Sequence, residues 1–166
     1  MVSMQRVISP RTAAAAAQLA TGLLAGALFY GFANVNPTFA AVPLDVHLTF
    51  RTELMNLNAI VMQALMAASF VTSAGLAVAA RGRARACAVG ATVLILATFL
   101  VTRFGNVPFN AEIRAWAAGA LVPDYQERLA TWGVFNDIRV ATAVGAFALV
   151  IAAAGLLRPA RAAVPV

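Results

Sequence analysis

Four runs of the chain carry no charged side chain: Thr12 to Leu44, Leu54 to Ala80, Ala86 to Thr102 and Val140 to Leu157. A helix needs about 17–25 residues to cross a hydrocarbon core about 30 Å thick, and each run meets or nearly meets that length. A soluble amphipathic helix keeps a polar outer face, and these runs offer almost none. The pattern predicts an all-α fold, an integral membrane four-helix bundle in one domain over residues 1–166. Its spans are expected at roughly Ala13–Phe32, Leu57–Ala80, Ala84–Thr102 and Ile138–Leu157.

The polar segments between the runs are unequal. Arg81-Gly82-Arg83 makes a short turn, so the second and third helices must be antiparallel neighbours. The other two connections are long, Gly31–Asn56 and Arg103–Asp137, and long loops are where function concentrates. In the first, Asn34, Asn36, Pro37 and Pro43 are expected to break the helix. From Leu44 no Gly or Pro follows until Gly75, which predicts a second helix that starts well outside the hydrocarbon. On such a rod His47, Arg51 and Asn58 share one stripe, and Asp45, Thr49, Glu53, Asn56 and Gln63 share the opposite one. Residues two apart do not face each other on a helix, so Glu53 is no partner for Arg51. Only one stripe can face the bundle, and the one with Asn56 and Gln63 reaches deeper.

In the second connection Gly105 and Pro108 are expected to end helix three. Asn110 reads as the N-cap of a short extra helix, Ala111 to Ala120, with Glu112 in its first turn. Pro123 then opens a helix that runs through Asp137 into the fourth span. Tyr125, Arg128, Trp132, Asn136 and Arg139 fall on one stripe of it. No internal repeat is visible.

Charge adds a direction. All six acids and the single histidine lie in the two long connections, while the other charged segments contain arginine alone. Arginine-only segments mark the cytoplasmic side, which predicts cytoplasmic N- and C-termini and a multi-pass protein of the bacterial inner membrane. The net charge of +6 is then explained by membrane orientation and contact with anionic lipid, and no nucleic acid is expected. Twelve arginines without a lysine fit a GC-rich bacterial genome. The 62% hydrophobic content far exceeds the roughly 45–50% of soluble proteins. The first run is longer than a signal-peptide core and lacks a good A-x-A pattern near Ala40, so it is expected to persist as a span. Cys87 stands alone, which excludes an internal disulfide or a CxxC redox pair. One histidine cannot build an imidazole-based metal site, and no metal is expected within one chain.

Candidate chemistry gathers near the outer helix ends: His47, Arg51, Arg103, Asn106, Asn110, Trp132, Asn136 and Arg139. Arginine clamps an oxyanion, asparagine donates and accepts, and histidine takes a proton near neutral pH. Each has a plainer reading too. The arginines can snorkel to the interface, the tryptophans can belong to an interfacial belt, Asn106 and Asn110 can merely cap and turn, and His47 can be a solvated surface residue. An ion-coupled carrier usually places an acid deep in a span, and none lies in these runs.

The segment Thr102-Arg103-Phe104-Gly105-Asn106-Val107-Pro108-Phe109-Asn110, followed by Trp132-x-x-x-Asn136-x-x-Arg139, resembles the anthrone-oxygenase-like family of small four-helix membrane proteins. The resemblance spans the chain in size and layout, and its specific part is the Asn-x-Pro-x-Asn turn with the Trp/Asn/Arg stripe. It implies oxidation of an anthrone to an anthraquinone with O2 and without a cofactor. In that chemistry His47 is the base, Arg51 or Arg139 stabilises the enolate, Asn106 and Asn110 orient, and Trp132 forms a flat wall. Arg103 and Asn136 complete the expected substrate-binding set. The expected partners are membrane lipid, a hydrophobic aromatic molecule and O2, with homo-oligomerisation left open. The competing reading is a non-enzymatic membrane protein that binds a lipid-like or aromatic ligand, or an assembly partner.

Overall fold

In the computed structural model, which describes residues 9–157, the chain forms four long helical rods. They are α1 (Pro10–Ala40), α2 (Leu44–Ala79), α3 (Gly82–Ala117) and α4 (Tyr125–Gly155), all long and apolar enough to cross a membrane. Consecutive rods pack together and α1 also packs on α4, so the four close into a ring. The protein is a multi-pass membrane protein with an all-α, four-helix architecture.

The packing is inverted relative to a soluble bundle. Small residues fill the helix contacts: Ala17, Ala88, Ala91, Ala143, Ala146 and Ala153 are fully enclosed. Large apolar side chains point outward, with Leu57 74%, Ile60 78% and Val78 83% exposed. In lipid, burying large side chains between helices gains little, and small residues let backbones approach. The outward face is therefore the lipid-facing one.

The rods are longer than the hydrocarbon requires. A 36-residue α2 extends about 54 Å at 1.5 Å per residue, against roughly 30 Å of hydrocarbon. The surplus lies at the end opposite the Ala80–Arg81 turn. There a second, smaller core forms from Leu48, Ile113 and Trp116, flanked by Tyr125, Leu129 and Trp132. The main core of alanines, Leu24, Leu76, Ile95 and Val150 lies below it.

Three local expectations are corrected. Asn34, Asn36 and Pro37 do not turn the chain, and Gly105 and Pro108 do not end helix three. In both places the helix widens into one π-turn, Gly31–Val35 in α1 and Thr102–Asn106 in α3, and then resumes as α-helix. The amide of Asn36 donates to the Gly31 carbonyl, and that of Val107 to the Thr102 carbonyl, each five residues back. Each proline, Pro37 and Pro108, stands two residues beyond the end of its π-turn. A proline has no N–H and its ring crowds the carbonyl four residues earlier; the wider turn relieves that conflict without ending the helix. Asn110 accordingly lies inside α3 and caps nothing. The long connections shrink to Ala41–Pro43 and Ala118–Asp124.

The two halves also share a plan that the sequence does not advertise. The odd rods run 21 and 20 α-helical residues before a π-turn and a proline. Each is followed by a rod whose eighth residue, Arg51 or Trp132, enters the same site.

At Gly105 α3 packs tightly against Phe135 of α4. A Cβ there would lie 2.6 Å from the Phe135 ring. Gly105→Ala should therefore cost about 1–3 kcal/mol through overpacking and lower the thermal midpoint of the detergent-solubilised protein, followed by helical circular dichroism. An unchanged midpoint would show that Phe135 moves aside freely.

Candidate functional site

The first helical turns of α2 carry Leu44, His47, Leu48 and Arg51 toward the bundle, because i, i+3, i+4 and i+7 share a face. The opposing stripe faces outward, leaving Asp45, Thr49, Glu53, Asn56 and Gln63 exposed. His47 and Arg51 are 9% and 6% exposed. Arg51 Nη1 lies 3.1 Å from His47 Nε2. A guanidinium can only donate, so Nε2 accepts and the ring proton of the neutral imidazole sits on Nδ1.

Aromatic rings hold this pair from both sides. The guanidinium carbon of Arg51 stands 3.9 Å from the Trp132 ring centre and 5.6 Å from that of Phe39. Phe39 stacks on His47 with centroids 4.9 Å apart and planes 2° from parallel. Each π-turn helps to supply this wall. Beyond the first, α1 resumes and delivers Phe39. The second places Asn106 so that its Nδ2 donates to the Trp132 carbonyl at 3.2 Å. One turn on, Asn110 Oδ1 accepts from the Trp132 indole N–H at 2.9 Å. Trp132 is thus held at its backbone and its ring edge, leaving its face for Arg51.

These side chains border a cleft of about 490 Å³ that also reaches Asn36, Tyr125, Gln126 and Leu129. The volume lies within the range of small-molecule sites. Of the eight residues expected at the site, His47, Arg51 and Trp132 line the cleft. Asn106 and Asn110 stand behind the Trp132 wall. Asn136 and Arg139 lie one and two turns further along α4, where Arg139 Nη2 donates to Asn136 Oδ1 at 2.7 Å. Arg103 is exposed, with its guanidinium 5.8 Å from the Phe104 ring, and does not join them. Phe39 was absent from the expected set, although Asn36-Pro37-Thr38-Phe39 echoes the Pro108-Phe109 segment of α3.

A family model described as anthrone oxygenase matches residues 50–149. The chain belongs to the anthrone oxygenase family. The anthrone oxygenase match includes Arg51, Asn106, Asn110, Trp132, Asn136 and Arg139, while Phe39 and His47 precede it. No curated protein and no solved structure matches the chain. Among the described residues no three His, Cys, Asp or Glu side chains come together as metal ligands would.

The helix ends beside the cleft are braced electrostatically. Arg128 donates from Nη1 to Glu112 at 2.9 Å and from Nε to Asp124 at 2.8 Å, joining α3 to the start of α4. The hydrogen bond from Arg128 holds the Asp124 carboxyl below its ordinary range. A carboxyl group with a lowered folded pKa favours the folded state above its unfolded pKa, and that contribution fades as pH falls through the folded value. Carboxyl-carbon NMR should therefore find Asp124 titrating below the usual aspartate range, and Arg128→Met should restore an ordinary midpoint. An ordinary midpoint in the unaltered protein would show that the brace does not persist in solution.

Proposed function

We propose that the protein is a cofactor-independent oxygenase of the bacterial inner membrane that converts a flat, anthrone-like aromatic ketone to the quinone with O2. The observation that carries this reading is the buried His47–Arg51 pair at an aromatic-walled cleft, with the imidazole presented as an acceptor and a second guanidinium nitrogen left to donate. Membership of the anthrone oxygenase family supports the substrate class.

The proposed chemistry uses few groups. The aromatic ketone lies in the cleft beside the Arg51 guanidinium that covers the Trp132 face, with its carbonyl oxygen toward Arg51. As Arg51 turns its N–H groups to that oxygen, His47 Nε2 loses its donor and its lone pair becomes free. Nε2 then removes a proton from the methylene carbon, and the electron pair moves to the oxygen as an enolate held by the guanidinium. The enolate gives one electron to O2, and the two radicals combine as a carbon-bound peroxide. His47 returns its proton to the outer peroxide oxygen. Removal of the second methylene proton, again by Nε2, forms the new C=O, breaks the O–O bond and releases hydroxide. Hydroxide takes the proton from His47, so one ketone and one O2 give one quinone and one water. Phe39, stacked on the imidazole, keeps its plane fixed through both proton transfers.

In this reading the Ala80–Arg81 turn faces the cytoplasm with both termini, and the cleft opens at the other leaflet, where an apolar substrate partitions. His47→Gln should reduce oxygen uptake with anthrone by about 10²–10⁴-fold, the usual contribution of a positioned general base, while the helical content stays unchanged. Oxygen uptake equal to that of the unaltered protein would remove His47 from the mechanism. Anthrone binding with no oxygen uptake in either protein would replace the oxygenase reading with that of a membrane ligand-binding protein.

A further inference from the structure

From the Trp132 face inward along α4 the bundle carries buried N–H donors, two of them on guanidinium groups, that lack acceptors. Arg51 Nη2, Asn136 Nδ2 and Arg139 Nε are buried and find no protein acceptor. Asn136 is 3% and Arg51 6% exposed. The other buried polar atoms without a partner are Asn106 Oδ1 and the hydroxyls of Thr52, Ser69 and Ser73. A hydroxyl inside a helix can turn to its own backbone carbonyl, and the three N–H donors have no such recourse.

No carboxylate answers the two arginines. Among the described residues the ion pairs are those of Arg128 with Glu112 and Asp124. Asp45, Glu53, Glu127 and Asp137 are exposed. Arg51 and Arg139 are close enough for their charges to act on each other. Trp132, Asn136 and Arg139 follow one another along one face of α4, and Arg51 lies on the first of them. The Arg139 Nη2–Asn136 Oδ1 bond fixes the amide so that its Nδ2 is the group left over. Buried charges at membrane depth are paired or face a polar cavity. Water would satisfy the donors but leave two like charges uncompensated.

We propose that Arg51, Asn136 and Arg139 bind a compact monovalent anion, chloride or a short carboxylate, behind the substrate cleft. The anion accepts from Asn136 Nδ2 and the guanidinium donors and separates two mutually repelling cations. It shares Arg51 with the oxygenase reading, in which that guanidinium turns to the substrate oxygen, but it requires neither substrate nor O2 and is tested without turnover.

Trp132 supplies the reporter, since the Arg51 guanidinium lies on its face. Trp116→Phe in the full chain, held in uncharged detergent, leaves Trp132 as the sole indole. Chloride then replaces methanesulfonate at constant ionic strength, with Trp132 emission and the ³⁵Cl NMR linewidth both recorded. Saturable chloride broadening that acetate reverses is the expected result, with a parallel shift in emission. Arg139→Gln should raise the half-saturating concentration at least about tenfold, the loss expected for a hydrogen bond to a charged group. Asn136→Asp, which places a carboxylate beside Arg139, should abolish the broadening in a protein of unchanged helicity. The absence of saturable broadening, chloride binding unaltered by Asn136→Asp, or saturation by 2-naphthoate but by neither chloride nor acetate would overturn the proposal.

Discussion

The Arg51 guanidinium is buried between the rings of Trp132 and Phe39 with its one hydrogen bond made to a neutral imidazole. That contact joins α1, α2 and α4, and α3 enters through the asparagines that position Trp132. A desolvated cation–π contact contributes about 2 kcal/mol. An uncompensated buried charge costs several kcal/mol. Aromatic contact alone therefore does not stabilise a cation here, and the deficit is the site's defining property. It favours whatever brings negative charge to the cleft, which is the requirement of a reaction that develops an enolate.

Membrane geometry makes such a site attainable. The spans need only about 20 residues each, yet α2 and α3 each run to 36. The surplus turns form a small cap with its own core of Leu48, Ile113 and Trp116. His47 and Arg51 share this end of α2 with Leu48. Arg139 sits further along α4 toward the main core, where a charge costs more and needs a partner. The polar groups thus grade from the rim, where Arg128 has two carboxylates, to the interior, where Arg139 has an amide.

The number of helices, their order and their apolar runs were legible because hydrocarbon demands long charge-free segments. The stripe of Trp132, Asn136 and Arg139 was legible from helical spacing alone. Two features were not. Asn-Pro and Gly-x-x-Pro read as breaks, since proline removes a hydrogen bond and glycine loosens a helix. A π-turn lets the helix absorb both, and whether it does so depends on packing such as the Gly105–Phe135 contact, which no local rule sees. Missing the π-turn in α1 also hid Phe39, because a broken helix would not have carried it to His47. Which stripe of α2 faces inward was undecided for a related reason. Both stripes are polar, and the choice falls to the one whose cation finds aromatic faces.

The anthrone oxygenase match begins at residue 50, between His47 and Arg51. If the imidazole acted alone, the arginine would be dispensable scaffolding, and its burial without a carboxylate would be a pure cost. The geometry argues the other way. Arg51 occupies the His47 lone pair, and in the proposed reaction it surrenders that lone pair when a better acceptor, an oxygen gaining negative charge, arrives. In that reaction the base is exposed in step with the anion it creates, and an empty cleft presents no free base to solvent. A single donor shared between an imidazole and a substrate oxygen needs no metal to polarise the ketone. The ring of Trp132 holds the guanidinium within reach of both acceptors in that reaction. Asn106 and Asn110, which hydrogen-bond to Trp132 without bordering the cleft, act in that reaction as positioning residues.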